Sequence, residues 1–333
     1  MRSPIGCKHY QMTTYCNNIY KLRQMHGAGI LLQCMLLPVA LAILLFAGCA
    51  MADGESGRNQ TILLDLYHMN MAKLEASDFG RPLFLESFEK DGRLHVDVYG
   101  IFDYPFGTIA EELDVPANWC DIAPLHPNVK ACTYRELDGK WLLTLYLGRK
   151  DNQSLEDAHQ IVCRYRNLQR QQGYLDVLLH ADQGPYGTTN HSMRFEALSL
   201  DDGRTFVHAS YAFSDSAALR LAAKIYFATL GWNKVGFTVT GIDTKGAPVY
   251  IGGPRGAVER NAARYYFAIQ SFMNTLRYPE AVRFKMMAID WYNLTIPHKK
   301  QLFDLDRKDY LLFKTTEHLH QVNLQRRIRA GLQ

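Results

Sequence analysis

"VDVYGIFDYPFGTIAEELDVPANWCDIAPLHPNVKACTYR", residues 96–135, passes from one strand through two short helices into a second strand. Val96, Val98 and Phe102 share one parity with Leu94, while Asp97 and Tyr99 share the other with His95. That alternation marks a strand with one buried face. Pro105, Gly107, Pro116 and Pro124 then break it and leave room for two short helices before "VKACTYREL", residues 129–137.

The same stretch sets Cys120, His126 and Cys132 at Cys-x5-His-x5-Cys spacing. Three readings are open: a metal site, a catalytic thiol or a structural clasp. Structural zinc sites use four ligands with a close cysteine pair, which is missing here. A catalytic thiol needs an oriented base and a depressed pKa, and nothing in the sequence brings His126 to either sulfur. A clasp needs only an oxidising compartment and a proline-rich turn.

The first residues address the compartment. Residues 1–48 hold Arg2, Lys8, Lys21 and Arg23, no acidic residue, and the apolar run "GILLQCMLLPVALAILLFAG" (29–48). This is the layout of an export signal. "LFAGC" (45–49) is similar to the lipobox of bacterial lipoproteins, with Phe46 in place of the usual Leu, and makes Cys49 the expected lipidated residue. A cut after Ala52 and an uncleaved span over Ile30–Ala47 are the alternatives, and Met25 or Met35 offer later starts. All three routes export the main domain, to the bacterial periplasm with an outer-membrane lipid anchor favoured. In that setting a Cys120–Cys132 bridge is expected, with Cys163 a buried free thiol.

The whole chain has 37 Lys+Arg against 33 Asp+Glu, and four of the cations precede Cys49, so the exported part is neutral. Neutrality gives no general electrostatic reason to bind nucleic acid. No phosphate-binding, dinucleotide, zinc-protease or serine-hydrolase fingerprint occurs, so neither a cofactor, a metal nor a catalytic residue is expected. "YIGGPRG" (250–256), with Arg255, reads as a strand end and helix start rather than as an anion site.

"ADGESGRNQ" (52–60) reads as a tether, and "TILLDLYHMNMAKLEAS" (61–77) as a short helix. After residue 129, six strand candidates follow without an intervening helix, punctuated at "LDGK", "RQQG", "DQGPYGTTN" and "DDGR". Leu143, Leu145 and Leu147 lie on one face, as do Leu175, Val177 and Leu179, and Met193, Phe195 and Ala197. Arg164, Arg166, Asp176, Arg194 and Glu196 lie on the opposite one, which predicts one antiparallel sheet with a dry and a wet face. His180, His191 and His208 do not agree on a common face and read as surface or packed side chains. A helix over 216–231, a hairpin, and the helix "PRGAVERNAARYYFAIQSFMNTL" (254–276) come next, the last with a stripe of Val258, Ala262, Tyr265, Ile269, Phe272 and Leu276.

Strand, two short helices, a run of antiparallel strands and a long helix: that order, carried by residues 96–135, resembles the START-like helix-grip superfamily over roughly residues 82–276. The chain is also similar to a family of exported bacterial proteins sharing segments of the type "GRTFVHASY" (203–211) and "RGAVERNAARYY" (255–266). The superfamily resemblance implies an α+β fold in which a curved sheet wraps the helix around an apolar cavity. Its domain plan is a signal peptide at 1–48, a tether at 49–60, a START-like domain at 61–276 and a helical C-terminal extension at 277–333.

The resemblance further implies a hydrophobic or lipid-like ligand lined by Val96, Val98, Trp119, Leu145, Tyr165, Phe195, Tyr211, Tyr265, Ile269 and Phe272. An enzyme using the same cavity, cyclase-like or hydrolytic, and a scaffold whose tail binds a protein partner are the alternatives.

Overall fold

Two Asp-Gly pairs set the outer hairpins of the sheet. In the computed structural model, which describes residues 57–151, 153–201, 203–229 and 231–332, Asp91 and Gly92 have φ of 53° and 70°, and Asp138 and Gly139 have 50° and 71°. Positive φ at both positions is the type I′ turn, whose twist matches that of the flanking strands. The first turn joins β1 (Leu83–Lys90) to β2 (Arg93–Phe102), with Lys90 opposite Arg93. The second joins β3 (Val129–Leu137) to β4 (Lys140–Leu147), with Leu137 opposite Lys140. Register fixed in this way sends Leu94, Val96, Val98 and Phe102 to one face.

The remaining strands are β5 (His159–Gln171), β6 (Tyr174–Gln183), β7 (Thr189–Ser199) and β8 (Thr205–Ser214). They complete an eight-stranded antiparallel sheet in the order β1-β2-β8-β7-β6-β5-β4-β3. Strand β2 pairs with β8, its neighbour in space but not in sequence, from Arg93↔Ser214 to Phe102↔Thr205. The short helices α2 (Phe106–Leu113) and α3 (Pro116–Ile122) therefore carry the chain from β2 to the opposite edge, where β3 begins. Apolar residues from both, including Ile109, Leu113, Trp119 and Ile122, are buried with the dry face in the main core.

The long helix (Gly253–Asn274) lies against that face. A helix α4 (Ala217–Ala228) and a hairpin of β9 (Val239–Ile242) and β10 (Pro248–Tyr250) precede it, making it α5. Helix α4 is capped by Ser216, whose Oγ accepts from Leu219 N, rather than by Ser214 or Asp215, and it ends before Gly231. Gly100 allows α5 to approach β2, because a Cβ there would stand 2.1 Å from the Tyr266 hydroxyl. The buried Glu259 carboxylate joins α5 to its surroundings, accepting from Ser87 Oγ (2.6 Å), Thr238 Oγ1 (2.7 Å), and the backbone N–H of Phe237 (2.7 Å) and Thr238 (3.0 Å). Arg255 donates to Ser87 on β1, so its guanidinium is engaged within the fold.

Helices α6 (Glu280–Thr295), α7 (Lys299–Leu302) and α8 (Arg307–Arg329) belong with residues Gln60–Gln333 in one compact unit. Helix α8 covers the free edge of β3 with side chains that act as strand partners. Gln321 accepts from Cys132 N–H (2.7 Å) and donates to Cys120 O (2.9 Å); Gln325 accepts from Tyr134 N–H (2.8 Å) and donates to Tyr134 O (2.9 Å). Unpaired edge groups invite association with other strands, and α8 satisfies them internally.

Two expectations need correction. Residues 57–60, read as part of a tether, are helical, and helix α1 runs over 57–75. The opposite face of the sheet is wet over β5, where Arg164 and Arg166 are exposed, but α1 packs on it at β2, β6, β7 and β8. Leu63 and Leu74 join Tyr99, Tyr174, Leu198 and Phe206 in a second apolar cluster, and Asp176, Glu196 and His208 are buried. Among the described residues no helix is long and apolar enough to cross a membrane; the leader, the run Ile30–Ala47, Cys49 and the tether up to residue 56 lie outside them.

The polar groups on this covered face pair with one another, as burial requires. His208 is within 2.9 Å of Asp97 through Nε2 and 3.0 Å of Glu196 through Nδ1; Tyr174 donates to Glu196 (2.7 Å), and Arg194 grips Asp176 with two bonds (2.8 and 2.6 Å). Burial alone pushes the His208 pKa down, but the bonds to Asp97 and Glu196 outweigh it and raise it to about 9 from 6.5. A group whose folded pKa is raised stabilises fully below its unfolded value, and that contribution is lost as pH rises through the folded value. The urea midpoint of the wild type is therefore expected to fall between pH 6.5 and about 9, relative to a His208→Gln variant followed over the same range. Parallel curves would remove the imidazolium from the network.

Candidate functional site

Between the dry face and α5 most side chains are packed, Val258, Ile269 and Phe272 of the stripe among them. Ala263, Phe267 and Ala268 are wholly buried against the helices behind α5 and the elements around it. Ala262 and Tyr265, on the stripe that faces the sheet, keep accessible surface. So do Leu145, Met193, Ala209 and Tyr211 on the facing strands. Tyr211 and Tyr265 interact electrostatically with each other and with the Cys163 thiol.

Tyr211 belongs to a hydrogen-bond relay on β7 and β8. Thr188 Oγ1 donates to Pro185 O (2.7 Å), so its oxygen is left to accept from His191 Nε2–H (2.9 Å). His191 Nδ1, without a proton, then accepts from the Tyr211 hydroxyl at 2.6 Å. The imidazole stacks on Phe213 with an interplanar angle of 4°, and it needs Gly184, where a Cβ would stand 2.2 Å from Nε2. Burial first of all lowers the His191 pKa, and burial first of all raises those of Tyr211 and Tyr265. All three groups are neutral near pH 7.

The Tyr265 ring stacks on His126 at 4.8 Å. Both His126 nitrogens are used: Nδ1 accepts from Asn128 N–H (3.1 Å) and Nε2–H donates to Asn261 Oδ1 (3.2 Å). The Tyr265 hydroxyl makes no hydrogen bond among the described residues. Cys163, on the same face as Ile161 and Tyr165, is a free buried thiol whose pKa burial pushes up to about 12. The charge beside Tyr265 is cationic: Arg264 Nη2 (2.6 Å), Lys150 Nζ (2.5 Å) and Lys234 Nζ (3.8 Å) share the one carboxylate of Asp304.

Of the ten residues expected to line a cavity, Leu145, Tyr211 and Tyr265 keep accessible surface. The other seven are packed in the main core: Val96, Val98, Trp119, Tyr165, Phe195, Ile269 and Phe272. Trp119 meets Phe195 edge-on at 5.8 Å and donates Nε1–H to Leu113 O (2.9 Å), while the Tyr165 hydroxyl donates to Asp114 O (2.9 Å). His191 was read from sequence as a surface or packed side chain. The strand irregularity between Thr189 and Ser192 is why its face was not legible, since a bulge resets the alternation of side chains.

The Cys120–Cys132 disulfide is present, closing the connection between α3 and β3 with both sulfurs buried. It thereby excludes these cysteines as metal ligands or as a reactive thiol. Among the described residues no group of three or more His, Cys, Asp or Glu side chains is arranged to hold a metal ion. A recess, about 390 Å³ in volume, lies at the C-terminal end of α5 beside Tyr104, Arg277 and Tyr278. Its polar side chains are already linked, Tyr104 to Asn274 (2.9 Å) and Asn274 to Asp290 (2.8 Å).

A curved antiparallel sheet closed over a long helix, with two short helices after β2, defines an α+β protein of the helix-grip type. No family model and no curated protein matches the chain. Among solved structures it is similar to an aromatase/cyclase from Streptomyces sp. R1128, with 17% identity over 38% of this chain and 70% of that one, at a TM-score of 0.28. A truncated norcoclaurine synthase from Thalictrum flavum gives 10% identity over 58% and 100%, at 0.33. A conserved protein from Enterococcus faecalis gives 8% over 64% and 91%, at 0.32. Scores this low lend no weight to any activity, so function rests on the site's own geometry.

Proposed function

We propose that this chain is a binding protein for a hydrophobic or amphipathic small molecule held between the sheet and α5. The observation that carries the proposal is the accessible surface that Tyr211 and Tyr265 keep between sheet and helix, together with the partly buried apolar residues Leu145, Met193, Ala209 and Ala262. An apolar ligand filling such a space gains roughly 25 cal/mol for each Å² it removes from water. We propose also that the protein works at the bacterial cell envelope, anchored by lipid on Cys49. The leader motif and the Cys120–Cys132 bridge support that location, because bridges persist outside reducing compartments.

One experiment addresses both parts. The full chain is expressed with labelled palmitate, and the isolated protein is compared by native and denaturing mass spectrometry with its Cys49→Ala counterpart. Palmitate is expected on the wild type alone, and a noncovalent apolar molecule is expected at one per chain in both. Equal palmitate labelling removes the anchor, and failure to recover or add back any apolar ligand removes the binding proposal. The His191–Tyr211 bond is the observation that favours an enzyme, since it joins a hydroxyl to a base. Conversion of the bound molecule to a product of different mass would favour catalysis over carriage.

A further inference from the structure

Charge does not balance where α5 meets the segments that follow β4, α4 and α7. The Asp304 carboxylate receives Arg264 Nη2 on Oδ2 at 2.6 Å, and Lys150 Nζ and Lys234 Nζ on Oδ1 at 2.5 and 3.8 Å. Arg260, buried one turn before Arg264 on α5, donates to Val235 O (3.2 Å) and adds a further cation. Other carboxylates nearby are committed, Asp151 to Arg149 (3.2 Å) and Glu259 to Ser87, Thr238 and the Phe237 N–H. Buried charge without a counter-charge is costly. Its effect is visible in Lys150 and Arg260, whose pKa values burial first and Arg264 second lower to about 8 and about 10.

The Arg264 guanidinium is also short of acceptors. Its side chain is 1% exposed, Nε is buried with no partner among the described residues, and Nη1 reaches only Asn261 Oδ1 at 3.4 Å, an oxygen already taken by His126. Asp304 therefore holds by one nitrogen a group that grips oxyanions by two. Solvent reaches the cluster through Lys150 and Lys234, whose side chains are 35% and 29% exposed.

We infer that this cluster binds a phosphate monoester group. Lys150, Lys234 and Arg264 against Asp304 leave two positive charges in excess, which a phosphate monoester of charge about −1.5 to −2 at neutral pH matches. Its three terminal oxygens suffice for two ammonium groups and a guanidinium, whereas a carboxylate brings one charge and two oxygens. This rests on the binding function proposed above and supplies the head group of its ligand. Arg264 precedes Tyr265 in the chain and acts electrostatically on its hydroxyl, so the phosphate end lies beside the ring that keeps surface between sheet and helix. The same group arrives on an apolar chain or as free inorganic phosphate, and the two differ in whether the chain adds to binding.

The test maps lysine acetylation by limiting acetic anhydride, read by mass spectrometry on the full chain in isolated membranes near neutral pH. Inorganic phosphate well above its Kd is expected to slow the labelling of Lys150 and Lys234 about tenfold by mass action, and to leave exposed Lys140 on β4 unchanged. Octyl phosphate is expected to give the same protection at a concentration at least about tenfold lower, because its chain is removed from water. Octanol is expected to protect neither lysine, and octanoate to need about tenfold more than octyl phosphate. Lys234→Met, and Arg264→Lys, which keeps the charge but not the fork, are each expected to raise the phosphate needed at Lys150 about tenfold. Lys130 and Lys314, with side chains 1% and 2% exposed, stay unlabelled in a folded variant. Equal potency of phosphate and octyl phosphate keeps the phosphate site and overturns its link to an apolar ligand. Protection by octanoate as strong as by octyl phosphate overturns the choice of phosphate. No protection by either phosphate probe, or equal protection of Lys140, overturns the site, while the binding function still stands or falls on recovery of an apolar molecule by native mass spectrometry.

Discussion

Glu317→Ala is expected to lower the free energy of unfolding by about 3–5 kcal/mol, as for other buried charge sets that lose one partner. The Glu317 carboxylate stands between two buried ammonium groups, Lys130 Nζ at 2.8 Å and Lys314 Nζ at 2.6 Å. Lys130 comes from the edge strand β3 and Lys314 from α8 itself, so the triad joins the tail to the sheet. The lysines also donate to carbonyls, Lys130 to Asp151 O (2.8 Å), Lys314 to His126 O and Val129 O (both 2.9 Å). Burial lowers the Lys314 pKa to about 8, Glu317 opposes that, and Lys130 adds to it.

Without the carboxylate the two cations face each other in a dry site, and folding then requires one to give up its proton. Glu317→Gln keeps an acceptor for one lysine and is expected to fall between alanine and wild type. Exposed Glu280→Ala is expected to change stability by less than about 0.5 kcal/mol. Urea unfolding of the three variants measures the series. A Glu317→Ala loss below 1 kcal/mol would mean that α8 does not depend on this triad for its seat on β3.

Local chemistry made much of the fold legible. Asp91-Gly92 and Asp138-Gly139 announce their hairpins, and alternation at Leu143, Leu175 and Phe195 assigns the dry face before any contact is known. Features that depend on distant partners were not legible. The stripe from Val258 to Leu276 on α5 was visible, yet the other side of the helix is buried too, because Phe284, Met287 and Trp291 of α6 join the same core. Nothing in the α5 sequence announces what will cover its back. Gln321 and Gln325 look like ordinary surface residues of a polar helix, and their role appears only when β3, some 190 residues earlier, lies alongside. At the site, Tyr211 and Tyr265 followed from parity and helical period, whereas His191 sits beyond a strand irregularity that parity does not cross.

The clasp at residues 120 and 132 was legible in part, and its removal is the second large effect expected. The bridge spans a sequence separation of 12, and closing a loop of that size contributes about 3 kcal/mol in the chain-entropy account. A Cys120→Ala, Cys132→Ala double variant is expected to lose that amount, measured by urea unfolding under oxidising conditions. Reductant added to the wild type is expected to produce the same loss only when urea is present, since both sulfurs are buried and thiol attack needs access.

The double variant is also expected to loosen α8, because Gln321 holds Cys132 N–H and Cys120 O together and loses that geometry if the two backbones drift apart. Hydrogen exchange should therefore quicken at both α3 and α8 in the variant, and not at the β1–β2 hairpin. Exchange that quickens only at α3 would separate the clasp from the tail. Finding both cysteines as free thiols in protein isolated from cells would remove the clasp altogether.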